Sequence, residues 1–155
     1  MYQWFVFIHL VGLVLFAFAH GASSFVAFRL PGQRDRTLVA SYLETSLIAT
    51  RTMYVGLILL LIGGAGAATI NGFWTQPWVL GSIVVLVVVI GLMYGLGTGY
   101  YMTLRKRLAG TDGAAPISDE DLAGYLDERR PRTLAGVGVL GLLIIIWLMV
   151  LKPGM

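Results

Sequence analysis

His9 and His20 are the only histidines in the 155-residue chain, and both fall inside its first long apolar segment. An ionisable or metal-ligating side chain is costly in a bilayer, which makes each a candidate for function. With about 3.6 residues per turn and a rise of about 1.5 Å, their spacing puts the two rings within about 20° of one helix face and roughly 16 Å apart. One metal ion cannot bridge that distance, but two sites at two depths can share the face. The chemistry this suggests is haem b ligation, because membrane four-helix bundles hold haem between helices, with imidazole on iron and small residues making room. Bis-histidine iron needs a second ligand at the same depth, and there is no third histidine. Three arrangements stay open. Met93, on the third apolar segment, lies at about the depth of His20, whereas Met53 and Met102 fall nearer the segment ends. A parallel homodimer would set His9 opposite His9 and His20 opposite His20, stacking two haems. The iron could also be five-coordinate. The alternative to haem is a pair of neutral imidazoles, each hydrogen-bonded to a serine or a backbone carbonyl of a neighbouring helix.

Arg51 is the other charge that reads as buried, about one turn inside the second apolar segment. It either snorkels to the interface, with Glu44 as a partner, or acts as counter-ion to a haem propionate or an anionic substrate. No carboxylate falls in the core of any apolar segment, so ion pumping has no sequence support. The absence of cysteine removes disulfides, iron–sulfur clusters and thiolate metal sites, and the separated histidines argue against copper transport. No P-loop, dinucleotide fingerprint, zinc-protease motif or nucleophile elbow occurs. The sequence therefore assigns no reaction.

The elements that position these residues follow from composition. The chain is 57% hydrophobic and 12% charged, against about 25% charged in soluble domains. It reads as one all-α integral membrane domain over residues 1–155, a four-transmembrane-helix bundle. The spans fall at about 3–28, 47–70, 78–104 and 134–151, each long enough to cross about 30 Å of hydrocarbon. The first is read as a retained anchor, since it lacks a basic leader. Ten of the eleven Lys and Arg residues flank the links between spans one and two and between spans three and four, and only Lys152 lies at the other end. The positive-inside rule then places both termini outside and both longer links in the cytoplasm. The net charge of +3 therefore reflects topology, with no nucleic-acid partner implied.

Trp4, Trp74, Trp78 and Trp147 all fall near the outer interface of this arrangement, as an aromatic belt. Asn71 to Pro77 makes a tight hairpin. In the link between spans three and four, Thr111-Asp112-Gly113 reads as a turn. Ser118 to Asp121 reads as a capping box, with Ile117 and Leu122 as its hydrophobic staple. Leu122, Tyr125, Leu126 and Arg129 then recur at helical spacing up to Pro131. This predicts a short cytoplasmic amphipathic helix, lying on the headgroups or offering a docking surface.

Small residues suggest the packing. Gly91, Gly95 and Gly99 recur every four residues on span three, Gly63 and Ala67 on span two, Ala17 and Gly21 on span one, and Gly138 and Gly141 on span four. Spans one to three are expected to form a compact bundle with the fourth at its edge. The span-three ridge would serve helix contact or, in the alternative, line a cavity for a flat cofactor.

The run Ile8-His9-Leu10-Val11-Gly12, followed by Phe16, Gly21 and Phe25 to Pro31, resembles the opening helix of a loose group of small bacterial four-span membrane proteins. The group takes in the HemJ-type protoporphyrinogen oxidases, the membrane domain of CopD-like copper-resistance proteins, and uncharacterised members of about this length. The resemblance implies that His9 matches a histidine thought to ligate haem in the HemJ group. The chain departs from the HemJ pattern in the position of Gly21, in the order Arg29-Leu30-Pro31, and in lacking a lysine within the third span. It is most similar to the uncharacterised members.

The combined expectation is a haem b-binding protein of the bacterial plasma membrane, with an electron-transfer or haem-linked redox role. Its cofactor residues would be His9, His20, Met93 and Arg51, with the two histidines as candidate iron ligands. Its partners would be the lipid bilayer and a second copy or a larger membrane complex. The alternative is a non-enzymatic scaffold subunit of a respiratory or photosynthetic complex.

Overall fold

The computed structural model describes residues 1–111, 113 and 115–154, with Leu96 and Thr98 described by backbone alone. Five helices follow one another: α1 (Tyr2–Arg29), α2 (Arg36–Asn71), α3 (Pro77–Ala109), α4 (Asp119–Asp127) and α5 (Arg130–Leu151). No strand occurs among the described residues. Four helices are long and apolar enough to cross a membrane. Their outer faces carry large exposed apolar side chains (Phe18 76%, Val87 63%, Val150 70% exposed), which only a hydrocarbon solvent makes inexpensive.

Helix ends show why the boundaries fall where they do. α2 begins well before the predicted Leu47, because Asp35 caps it by accepting from the Thr37 N–H at 2.8 Å and the Leu38 N–H at 3.3 Å. The extra turns are polar outside but bury Val39 and Leu43. α2 stops at Gly72, whose φ of 66° is the left-handed conformation that a helix C-terminus favours in glycine. A 3-10 turn over Phe73–Thr75 then leads to Pro77 in the first turn of α3. Pro131, expected only to stop the short helix, sits in the first turn of α5 instead. Asp112, in the middle of the predicted turn, lies outside the described residues.

The helix pairing differs from the expected bundle. α1 lies along α2, α5 packs on both α3 and α1, and α2 and α3 touch little. Going around the bundle, the order is α2, α1, α5, α3, so the fourth span is central and a cleft separates α2 from α3. The glycines explain this. At Gly12, Gly56 and Gly63 an added methyl would run into the backbone of the facing helix, so α1 and α2 meet backbone to backbone. Gly91, Gly95 and Gly99 have nothing within 4 Å of an added Cβ and are exposed, so the span-three ridge faces outward; Gly21 is likewise open.

The best-packed region lies at the basic end. Val26, Leu30, Val39, Leu43, Tyr100 and Leu104 from α1 to α3 surround Ile117, Leu122 and Leu126. The apolar side of α4 is thus buried against the bundle's own end and does not lie on a surface. Ser118 caps α4 by accepting the Asp121 N–H at 3.1 Å. Its acids clamp it down: Asp127 on the Gly32 N–H and Arg34, Asp119 on Arg36 at 2.6 Å, and Asp121 on Arg107. The Tyr100 hydroxyl donates to the Tyr125 carbonyl at 2.5 Å.

Candidate functional site

Between the α1/α2 pair and the α3/α5 pair lie two chambers. The outer one, toward the termini, measures about 590 Å³, and the inner one, toward the basic end, about 330 Å³. Both are lined by Phe16, His20, Leu57, Leu86, Val89 and Met93, which form the neck between them.

His9 lines the outer chamber. Its Nδ1 is 2.7 Å from the Leu60 carbonyl oxygen. A carbonyl can only accept, so Nδ1 carries the proton, and in the neutral ring Nε2 carries a lone pair. Nε2 has no protein partner among the described residues. Gly64 lies beneath the ring, where an added methyl would stand 3.0 Å from Nδ1. A histidine held by its Nδ1–H on a backbone carbonyl, with Nε2 free, is the arrangement that fixes tautomer and ring direction in metal-ligating histidines. The surrounding walls are apolar: Leu61, Ile83, Leu86, Leu142 and Ile145 among them.

The mouth of the outer chamber holds two donors that sequence reasoning passed over. Lys152, read only as the lone basic residue at that end, lines the chamber with its Nζ 5.4 Å above the Trp78 ring. It is the one non-glycine residue at positive φ (45°) among those described, held there as the C-cap of α5. Trp78, expected in the belt, is instead buried (6% exposed) against Phe73, and its Nε1–H is buried without a partner. Trp4, Trp74 and Trp147 remain exposed at the same end. A protonated amine beside an unsatisfied N–H suits a carboxylate. The signal available in sequence was only that Lys152 stands alone at that end.

His20 is buried in the neck (4% exposed), stacked on Phe16 with ring centroids 6.1 Å apart. Its Nε2 is buried without a hydrogen-bond partner and faces Gly138 of α5. An added methyl on Gly138 would overlap the ring and stand 3.0 Å from the Met93 Cε. The structure thus brings His20 and Met93 together over a glycine. No space for a macrocycle is left between the ring and α5 in this packing. Arg51 is exposed on α2 and lines neither chamber. Arg105, read only as a flanking charge, lines the inner chamber instead. Among the described residues no group of three or more acidic, histidine or cysteine side chains could hold a metal ion.

A family model described as "Predicted integral membrane protein (DUF2269)" matches residues 3–153, and the chain belongs to this family. No curated protein and no solved structure gives a match.

Proposed function

We propose, from the geometry of the outer chamber, that this membrane protein binds haem b and serves electron transfer or haem-linked redox chemistry. The observation that carries the reading is His9, with Nδ1–H pinned to the Leu60 carbonyl and Nε2 free in an apolar chamber of about 590 Å³. Chambers of roughly 300–1,000 Å³ with few, well-placed polar groups are typical of cofactor sites. In this reading His9 Nε2 is the iron ligand, and Lys152 with the Trp78 Nε1–H takes the carboxylates at the mouth. The resemblance of the residues around His9 to HemJ-type opening helices supports the same ligand. Bound haem supplies one-electron transfer.

The chain's own contribution is to hold the imidazole proton at Nδ1, to exclude water with Leu and Ile walls, and to set the carboxylates at the polar end. Iron between His20 and Met93 requires α5 to draw back, because the Gly138 backbone occupies the space beyond Nε2. The reading therefore leaves those two as the chamber floor. The bundle would sit in a bacterial plasma membrane with its basic end in the cytoplasm and both termini outside.

The test is a reduced-minus-oxidised absorbance spectrum of detergent-purified protein, with a pyridine haemochrome assay for stoichiometry. About one haem per chain is expected. A preparation that stays colourless after expression with a haem precursor overturns the reading.

A second reading, a scaffold subunit or homodimer, is favoured by the outward Gly91, Gly95 and Gly99, which leave a flat strip where another helix can approach closely. It predicts a colourless protein whose assembly fails on Gly95→Leu.

A further inference from the structure

The inner chamber is unlike the outer one. Two buried side-chain polar atoms that lack a partner among the described residues, Ser24 Oγ and Arg105 Nε, belong to residues that line it alone, whereas His20 Nε2 lies in the neck against Gly138. Unpaired buried donors are costly, at about 1–3 kcal/mol each and more when charged, so native proteins leave few of them. Arg105 donates through Nη2 to the Leu43 carbonyl at 3.0 Å, which holds the guanidinium at the chamber wall with Nε to spare. Among the described residues no Asp or Glu lines the chamber. Glu44, the acid that acts on Arg105, is exposed outside it. A cation and a free hydroxyl in a chamber whose Ser23 and Ser46 hydroxyls are already paired with each other, and whose described lining has no acid, call for an anionic group.

The shape says how it arrives. The chamber is bounded on one side by α2 (Thr50, Tyr54) and on the other by α3 (Ile90, Tyr94, Met102), the two helices that touch little. Tyr54, Ile90, Tyr94 and Met102 are all exposed, so this side opens laterally where the lipid would lie. Arg105 belongs to the basic end, at headgroup depth, while Tyr94 lies about 16 Å along α3 toward the bilayer centre. The enclosed volume of about 330 Å³ suits a headgroup and the start of one chain.

We propose that the inner chamber binds an amphiphile with an anionic head, carboxylate or phosphate, which enters from the bilayer between α2 and α3. Its head is held by Arg105 and Ser24, and its acyl chain runs out past Tyr94. The site is separate from the haem reading: His9 and Ser24 lie roughly 22 Å apart along α1.

Photo-crosslinking tests this on the full chain in nanodiscs of zwitterionic lipid. Diazirine-tagged fatty acid, tagged phosphatidic acid and tagged phosphatidylcholine are supplied in separate arms, and the labelled peptides are mapped. Labelling of residues 86–102 and 47–57 by an anionic probe, at least tenfold above phosphatidylcholine, is expected. Whichever anionic probe labels names the source of the head. Arg105→Gln should reduce labelling about tenfold, Arg105→Lys should keep most of it, and Ser24→Ala should lower it severalfold. Arg29→Gln, at an exposed position on α1 that does not line the chamber, should change nothing. Because Arg105 also braces α2, thermal stability of each variant is read alongside, and Ser24→Ala tests the site without breaking that brace. Equal labelling by phosphatidylcholine, or an equal loss on Arg29→Gln, overturns the proposal. Strong excess inorganic phosphate that removes the label without any lipid arm being favoured overturns the amphiphile.

Discussion

At the scale of single residues, His9 and His20 share a helix face but not an environment. One is tied through Nδ1 to a carbonyl and opens into a chamber, while the other is pressed by Nε2 against a glycine backbone. His9→Ala should therefore abolish the Soret band of the purified protein, while His20→Ala should leave it and lower thermal stability. Loss of the band from His20→Ala alone would move the iron to the neck. Lys152→Gln removes one charged partner of a bound carboxylate, and charge-assisted hydrogen bonds contribute about 1.5–3 kcal/mol. Haem retention during dilution into detergent should fall about tenfold or more, with the spectrum of what remains unchanged. That His9 and His20 are candidates was legible in the sequence, since a histidine in a lipid span is unusual whatever surrounds it. That Lys152, Trp78 and Arg105 line the chambers was not. Their types fit a belt and a basic flank equally well, and only the direction of each side chain separates the two roles.

At the scale of elements, the spans were legible because a run of about 20 apolar residues has one inexpensive conformation in lipid. Their pairing was not, because a glycine every fourth residue looks the same in sequence whether it faces a helix or the bilayer. Gly63 meets the backbone of α1, whereas Gly95 meets nothing. The two should part cleanly on mutation. Gly12→Ala or Gly63→Ala forces α1 off α2 and should cost about 1–3 kcal/mol, as overpacking does, measured by reversible denaturation in mixed micelles. Gly95→Ala should leave the monomer unchanged. The start of α2 was missed for a related reason. Its first turns are too polar to be read as membrane span, and they are helical because Asp35 caps them and Val39 and Leu43 have α4 and α3 to pack on. α4 is itself held more by this packing than by its exposed ion pairs, which contribute little individually. Leu126→Ala should cost about 2–5 kcal/mol, while Asp119→Asn should cost well under 1 kcal/mol. Similar costs for both would mean that charge, and not the buried leucines, fastens α4.

At the scale of the whole molecule, the two ends are chemically opposite. One carries ten basic residues and a packed apolar core closed by α4. The other carries both termini, the 71–77 hairpin, exposed Trp4, Trp74 and Trp147, and Lys152 alone. Such polarity makes orientation the property on which the rest depends. If the basic end is cytoplasmic, the chamber lined by His9 opens outward and the chamber lined by Arg105 faces the inner leaflet. If the bundle is inverted, the two exchange. The chain has no cysteine, so it is already suited to the measurement. Thr75→Cys, in the exposed hairpin, should react in intact cells with a membrane-impermeant thiol reagent. Glu120→Cys, exposed on α4, should react only after the membrane is permeabilised. The reverse pattern would mean that charge has not set the topology, and Lys152 would then hold its carboxylates on the cytoplasmic side. In either case the two labels must differ, because the helices between residues 75 and 120 include one full span, α3. Equal labelling from one side would contradict the four-span fold itself.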